Sequence, residues 1–389
     1  MRITSKREFV ELIAGRYRVA NKQQKGFILD EFCRTFNLHR KYAIRLLNAA
    51  PKGPKERAVV KRGPKKKYND PVLLEVLLDL WTATNLPCAK RLHTLIPLWL
   101  PYYDKFIIPD DINEKLLRIS AATIDRLLAG YRTEYNKFGF STTKPGTIIK
   151  KRIPIKTNQW DETQPGFIEA DTVAHCGSSA AGMFVLTVNC VDIATGWTES
   201  RAVWGKGELG VKNALESLEN VIPFDIKGFD CDNGSEFLNW HIISHFTDRE
   251  RPVQFTRSRP YYKNDNAHIE NKNWTNIRQY LGYERFDNPE LTSLINNLYL
   301  AEWSDYFNFF ITSVKLIEKQ RVGSKIIRKH DKAKTPFQRC IESKHISEET
   351  KIRLQQRKDS LNPFVLQRLM KRKIQNILKL VKATTTIPF

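Results

Sequence analysis

The sequence predicts a multidomain protein. All-α helix-turn-helix domains at the N-terminal side precede an α/β core, a mixed five-stranded sheet with helices, and a mainly helical, basic C-terminal region follows. Three observations predict this. The 389 residues exceed what one small core organises. The apolar pattern switches from helical spacing to Val-rich runs near residue 160 and back near 286. Charge is segregated: residues 1–159 carry net +18 and residues 315–389 net +14, whereas residues 160–285 carry net −6, within an overall +22. A basic excess of this size favours a polyanionic partner, because each neutralised phosphate releases counterions.

Several classes are excluded. No run reaches ~18 apolar residues, so no membrane span is expected. The opening residues lack an apolar run followed by a small-residue cleavage site, so no secretion signal is expected. Six cysteines are scattered without a CxxC pair, which argues against a zinc framework or a disulfide scaffold and fits a reduced, cytoplasmic setting.

The expected organisation is a helix-turn-helix domain over 1–50, a basic linker over 51–69, a second helical domain over 70–135, a second basic linker over 136–159, the core over 160–285 and the C-terminal region over 286–389. In the first domain Phe27, Ile28, Phe32 and Phe36 form one helical stripe. After a break at Asn37-Leu38, Tyr42, Ala43, Leu46 and Leu47 form another. The second helix leaves Arg40, Lys41 and Arg45 free, where such a motif reaches a DNA groove. A helical hairpin with a basic outer face has the same pattern. The linker holds three prolines, two glycines and eight Lys/Arg between 52 and 67, including Arg62, Lys65, Lys66 and Lys67. It reads as an extended arm along phosphates or a solvated tether. Stripes of Leu73, Leu74, Leu77, Leu78 and Trp81, then Leu92, Leu95, Ile96 and Trp99, precede a helix capped by Ser120 and presenting Arg126.

Within the core, strands are expected at 167–173, 183–192, 197–204, 225–231 and 253–256, with helices at 209–221, 237–246 and 264–281. Three acids fall where such an order converges them. Asp171 lies within the first strand, Asp232 just past the fourth, and Glu270 in the last helix. A strand otherwise built of apolar residues does not carry an unpartnered carboxylate cheaply. Asp232 precedes Asn-Gly, a turn signal that puts it at a sheet edge. Hard oxygen donors suit Mg²⁺ or Mn²⁺. Glu169, Asp230, Glu236 and Asp265 are read as supporting or solvated acids, Asn233 and Asn266 as residues orienting the ligands, and His175 and Cys176 as structural.

The segment resembles the catalytic core of DDE transposases of bacterial insertion sequences, which is similar to that of retroviral integrases. The resemblance rests on Glu169-Ala170-Asp171-Thr172, on Asp232-Asn233-Gly234-Ser235-Glu236-Phe237, and on Arg259-Pro260-Tyr261-Tyr262-Lys263-Asn264-Asp265-Asn266 leading to Glu270, with gaps of 60 and 37 residues between the three acids. It implies a ribonuclease H-like fold, two Mg²⁺ ions with Mn²⁺ able to substitute, and strand transfer into target DNA. The His/His/Cys/Cys zinc domain that opens retroviral integrases is absent, which favours the bacterial group. One and two turns after Glu270, where integrases carry basic residues, stand Trp274 and Ile277; Lys263, Lys272 and Arg278 are the substitutes.

The functional expectation is a DNA transposase or integrase acting on double-stranded DNA as a dimer or larger homo-oligomer, without a membrane partner. The rivals are a metal-dependent nuclease that does not join ends and a non-catalytic DNA-binding regulator. The aromatics Tyr299, Trp303, Tyr306, Phe307, Phe309 and Phe310 read as core packing. Residues 315–339 are a basic stretch with a Gly-Ser turn that either holds a DNA end or is solvated. Residues 361–380 form a basic amphipathic helix suited to joining protomers.

Overall fold

The computed structural model describes residues 3–49, 68–132, 163–232, 234, 236–258, 267–322 and 324–385. The chain divides into two compact units, Met1–Lys67 and Tyr68–Phe389.

The first unit contains α1 (Ile3–Val19), α2 (Lys22–Phe36) and α3 (Arg40–Ala49). Asn21 caps α2 in a reciprocal box with Gln24, and Asn37, with φ 49°, ends it in a left-handed turn. The core holds Ile13, Ala14, Tyr17, Leu29, Phe32, Ala43 and Leu47. The helix α1 completes a three-helix arrangement that the two expected stripes alone did not disclose. Phe27, expected in the stripe, is 69% exposed, and Leu29 is buried instead. Arg40, Lys41 and Arg45 are exposed on α3, as the spacing predicted.

The second unit opens with α4 (Pro71–Ala83), α5 (Ala89–Trp99), α6 (Asp110–Arg118) and α7 (Ala121–Leu128). Ser120 caps α7 through the Thr123 N–H. Strands β1 (Phe167–Ala174), β2 (Val185–Asp192) and β3 (Thr198–Trp204) follow, then α8 (Glu208–Glu219), β4 (Gly228–Cys231), α9 (Trp240–Thr247) and β5 (Gln254–Arg257). The five strands form one sheet in the order β3-β2-β1-β4-β5. The β1–β2 and β2–β3 pairs are antiparallel, whereas β4 runs parallel to β1 and β5 parallel to β4. This is the mixed five-stranded sheet with helices expected of a ribonuclease H-like core.

Every residue of β2 is buried, because both sheet faces are covered. One face packs Ile168, Ala170, Leu186 and Val188 against α8 and α9. The other carries Val173, Val185 and Ala202 beneath the helices that follow β5. Those helices are α10 (Ala267–Lys272), a π-helical turn over Asn273–Arg278, α11 (Gln279–Leu281), α12 (Glu290–Leu298), a second π-helical turn over Tyr299–Trp303 and α13 (Ser304–Phe310). Tyr299, Trp303, Tyr306, Phe307, Phe309 and Phe310 are all buried, as expected for packing aromatics. Their core is continuous with α4–α7 and with the terminal helix, so no break in packing falls at 285/286.

The C-terminal region is not helical throughout. Strands β6 (Leu316–Val322) and β7 (Lys325–His330) pair as an antiparallel hairpin before α14 (Pro336–Glu342), α15 (Glu348–Asp359) and α16 (Pro363–Thr385). Every described side chain from Ile317 to His330 is exposed. Among the described residues no helix is long and apolar enough to cross a membrane.

Candidate active site

The site is assembled on the face of β1 that looks toward α10. Side chains alternate along a strand, so Glu169, Asp171 and Val173 share this face while Ile168 and Ala170 pack under α8 and α9. Two polar rows cross the sheet here in register. Asp171 lies opposite Asn189 of β2, and Asn189 opposite Ser200 of β3. Glu169 lies beside Asp230 of β4, and Asp230 beside Thr256 of β5.

Both rows are hydrogen-bonded. Asn273, three residues beyond Glu270, donates its Nδ2 to Asp171 Oδ2 at 2.7 Å. Asn189 Nδ2 donates to Asn273 Oδ1 at 2.8 Å, and Ser200 Oγ donates to Asn189 Oδ1 at 2.8 Å. Thr256 Oγ1 donates to Asp230 Oδ1 at 2.5 Å. The Ile269 N–H donates to Glu169 Oε2 at 3.0 Å, which fastens the first turn of α10 onto β1. Residues three apart share one side of a helix. Glu270 stands three residues before Asn273 on that helix, and its side chain is exposed.

The acids of this region feel one another's charge. Burial, and then the charges of Asp232, Glu236 and Glu270, push the Asp171 carboxyl well above the usual carboxylate range, against the Thr172 N–H that it accepts at 2.7 Å. Burial raises Glu169 to about 8, with Asp230 and Glu270 adding to the rise and the Ile269 N–H opposing it. Like charges gathered where water is scarce favour proton uptake or a cation. Asp232 and Glu270 thus both act electrostatically on Asp171. As placed, no three His, Cys, Asp or Glu side chains among the described residues are close enough to hold one metal ion together.

Glu236 is a neighbour of the site rather than a solvated acid. It is 8% exposed and accepts from Thr172 Oγ1 at 3.0 Å. Gly234 explains the glycine of the Asp-Asn-Gly turn. Its N–H donates to Asp232 Oδ1 at 2.8 Å, and a Cβ there would meet the Glu236 carboxyl at 2.7 Å and Asp232 Oδ1 at 2.9 Å.

The remaining candidates are distributed as follows. Asn233, Asn266, Lys263, Arg62, Lys65, Lys66 and Lys67 lie outside the described residues. Lys272 is half-buried, and burial, then the charges of Arg91 and Arg339, hold its amine down at about 7. Arg278 donates to Ala174 O at 2.8 Å and to Gly282 O at 3.4 Å, so its guanidinium braces β1. Arg126 is exposed on α7 and bonds Thr123 Oγ1 at 3.1 Å. His175 is structural: its ring stacks on Phe286 at 4.6 Å, bonds Thr187 at 2.9 Å and is held neutral by burial, at about 3. Asn273, Asn189 and Ser200 were missed in the sequence. Their signals were an asparagine inside the run Val185-Leu186-Thr187-Val188-Asn189-Cys190-Val191, and an asparagine three residues after the helical glutamate.

The fold and site together define a mixed α/β domain with an acidic, helix-capped locus on its central strand. No protein-family model matches the chain. The chain is 35% identical over 343 residues to "Uncharacterized protein y4rM" of Sinorhizobium fredii, covering 87% of this chain and 95% of that protein, and it belongs to the same family. Among solved structures, the catalytic core domain of BIV integrase aligns at 14% identity and a TM-score of 0.27, over 44% of this chain and 91% of that one. A simian T-cell lymphotropic virus intasome in complex with PP2A regulatory subunit B56 gamma aligns at 12% identity and a TM-score of 0.30, over 50% of this chain and 63% of that one.

Proposed function

We propose that the protein is a DNA transposase or integrase that cuts and joins double-stranded DNA at Asp171, Asp232 and Glu270. The observation that carries this reading is the half-buried Asp171 carboxyl, which feels the charges of Asp232 and Glu270 and is held by Asn273 from the Glu270 helix. Three acids far apart in sequence on one strand, one strand end and one helix suit no ordinary structural need.

The chemistry of these donors, though not their present spacing, suits Mg²⁺ or Mn²⁺. The donor set offers carboxylate oxygens only, since Cys231 is buried in the core under the opposite sheet face and His175 is stacked on Phe286. Two such ions, when bound, would supply charge neutralisation for the attacking and leaving oxygens of an in-line phosphoryl transfer. The protein's own residues do the positioning. Asn273 fixes the Asp171 carboxylate, Glu169 pins the helix that presents Glu270, and Thr172 holds Glu236 beside them. Duplex DNA would meet the exposed Arg40, Lys41 and Arg45 on α3 and Arg126 on α7. Joining two element ends calls for a dimer or larger assembly.

The test uses Asp171→Asn, Asp232→Asn and Glu270→Gln in the full chain. Each is expected to lose Mg²⁺-dependent cleavage and joining of a labelled DNA end, and calorimetric Mn²⁺ binding, while duplex affinity survives. Strand transfer retained by one variant removes that residue from the set. Supplying a pre-cut end separates the readings: a nuclease yields no joined product, and a regulator shows no metal-dependent chemistry in the parent.

A further inference from the structure

The β6–β7 hairpin is unlike the rest of the second unit. Its root is fixed. Ser313 and Lys334 form a bridge, Asp331 N–H donates to Lys315 O at 2.9 Å, and Arg339 ties Asp331 at 2.5 Å and Ser313 O at 2.9 Å. Lys315 Nζ donates to Ala194 O at 2.8 Å, which fastens the root to the β2–β3 turn of the catalytic sheet. The flanking Thr312, Ala333 and Thr335 are buried.

The blade contrasts with that root. Ile317, Val322, Ile326 and Ile327 are 49–62% exposed, and no sheet or helix covers either side of the ribbon among the described residues. Residues 315–330 contain six Lys/Arg and one acid, Glu318. Register sorts the sides: Arg321, Ile326 and Arg328 share one side, while Gln320, Ile327, Glu318 and Lys329 stand on the other. A two-stranded ribbon with no hydrophobic face of its own is marginal in water, and its bare edges invite pairing. Charge and shape complementarity indicate what covers it. The major groove of B-DNA admits a two-stranded β-ribbon, and its rims are rows of phosphates.

We propose that the β6–β7 ribbon is a DNA-inserting element that lies in a groove of duplex DNA, with Arg321 and Arg328 against phosphates and Ile326 toward the groove floor. This rests on the duplex-binding reading above and adds a contact surface outside the acidic site. A rigid root on the catalytic sheet makes the ribbon a ruler: the duplex it grips is held at a fixed offset from Asp171 and Glu270.

The experiment measures binding of the full chain to a fluorescent random-sequence duplex across a salt series. The parent is compared with Arg321→Glu/Arg328→Glu and with a control, Lys344→Glu/Arg353→Glu, that makes the same charge change at exposed positions on and before α15. The ribbon variant is expected to bind about tenfold or more weakly, with a log–log salt slope shallower by about 1.8. The control is expected to lose far less, and far-UV circular dichroism to be unchanged in both. Equal weakening in ribbon and control variants attributes the effect to bulk charge and overturns the proposal. Parent-like affinity of the ribbon variant overturns it while leaving duplex binding standing. Loss of self-association without loss of DNA affinity overturns it in favour of a second copy on the ribbon edge. Absence of duplex binding by the parent overturns the reading beneath it as well.

Discussion

The molecule contains two β-structures that handle charge in opposite ways. In the five-stranded sheet, β2 is buried at every position, and the acids on its neighbour β1 are tied to helix and strand partners. In the β6–β7 hairpin every described side chain from Ile317 to His330 is exposed, and the charges are mostly cationic. The difference shows where each kind of work can be done. Burial makes a few carboxylates act on one another strongly, because little water screens them. Exposure lets cations meet a large polyanion without a desolvation cost paid in advance. A metal site and a DNA grip of the kind proposed would need these opposite solvent conditions.

The contrast is broken most forcefully by truncating one aliphatic side chain in each structure. Leu186→Ala in β2, at 0% exposure, is expected to lower unfolding stability by about 2–5 kcal/mol. Ile327→Ala in β7, at 54% exposure, is expected to stay within about 0.5 kcal/mol of the parent. Urea unfolding of both variants checks this, and similar losses would show that the ribbon is packed in solution.

A titrating charge sharpens the same comparison. Glu199 on β3 is buried, and desolvation raises it from 4.5 to about 7 despite the Ser304, Arg201 and Trp197 contacts. Its native form therefore holds a proton that the unfolded chain has released between those values. Stability falls as pH rises from about 4.5 to about 7, by on the order of 3 kcal/mol, and the penalty stays in full above that range. Below about 4.5 both states are protonated and the effect vanishes. Glu199→Gln is expected to flatten the melting temperature against pH between 5 and 7 relative to the parent. An unchanged profile would assign the slope to other groups.

The smallest of these effects concerns the polar row itself. Asn189→Val leaves Asn273 Oδ1 and Ser200 Oγ without their partner, at a cost of about 1–3 kcal/mol. End joining is expected to fall with it, because Asn273 loses the bond that orients it toward Asp171. A variant that unfolds more easily yet joins ends at the parental rate would reduce Asn189 to a packing residue.

The sheet was legible because its signals are local. Val-rich runs, the Thr195-Gly196 turn and the Asp-Asn-Gly turn mark strands and their ends within a few residues, and they put Asp171 on the first strand and Asp232 just past the fourth. The hydrogen-bonded row was not legible. Asn189, Ser200 and Asn273 become partners only through cross-strand register and a helix crossing, neither of which a single sequence specifies. The exposure of Phe27 was hidden for a similar reason, since α1 selects which side of α2 is covered. The hairpin was read only as a basic stretch with a turn: its strands lack the apolar alternation that a half-buried strand leaves in sequence.

The helix bearing Glu270 is seated from behind by distant parts of the chain. Ile277 and Leu281 share one hydrophobic compartment with Trp99 of α5 and with Met370, Ile374 and Ile377 of α16. A premature stop between residues 311 and 363 would leave Asp171, Asp232 and Glu270 in the chain and still remove a wall of that compartment. Loss of activity in such a shortened product would then report a helix adrift on its strand, with the chemistry itself unaltered.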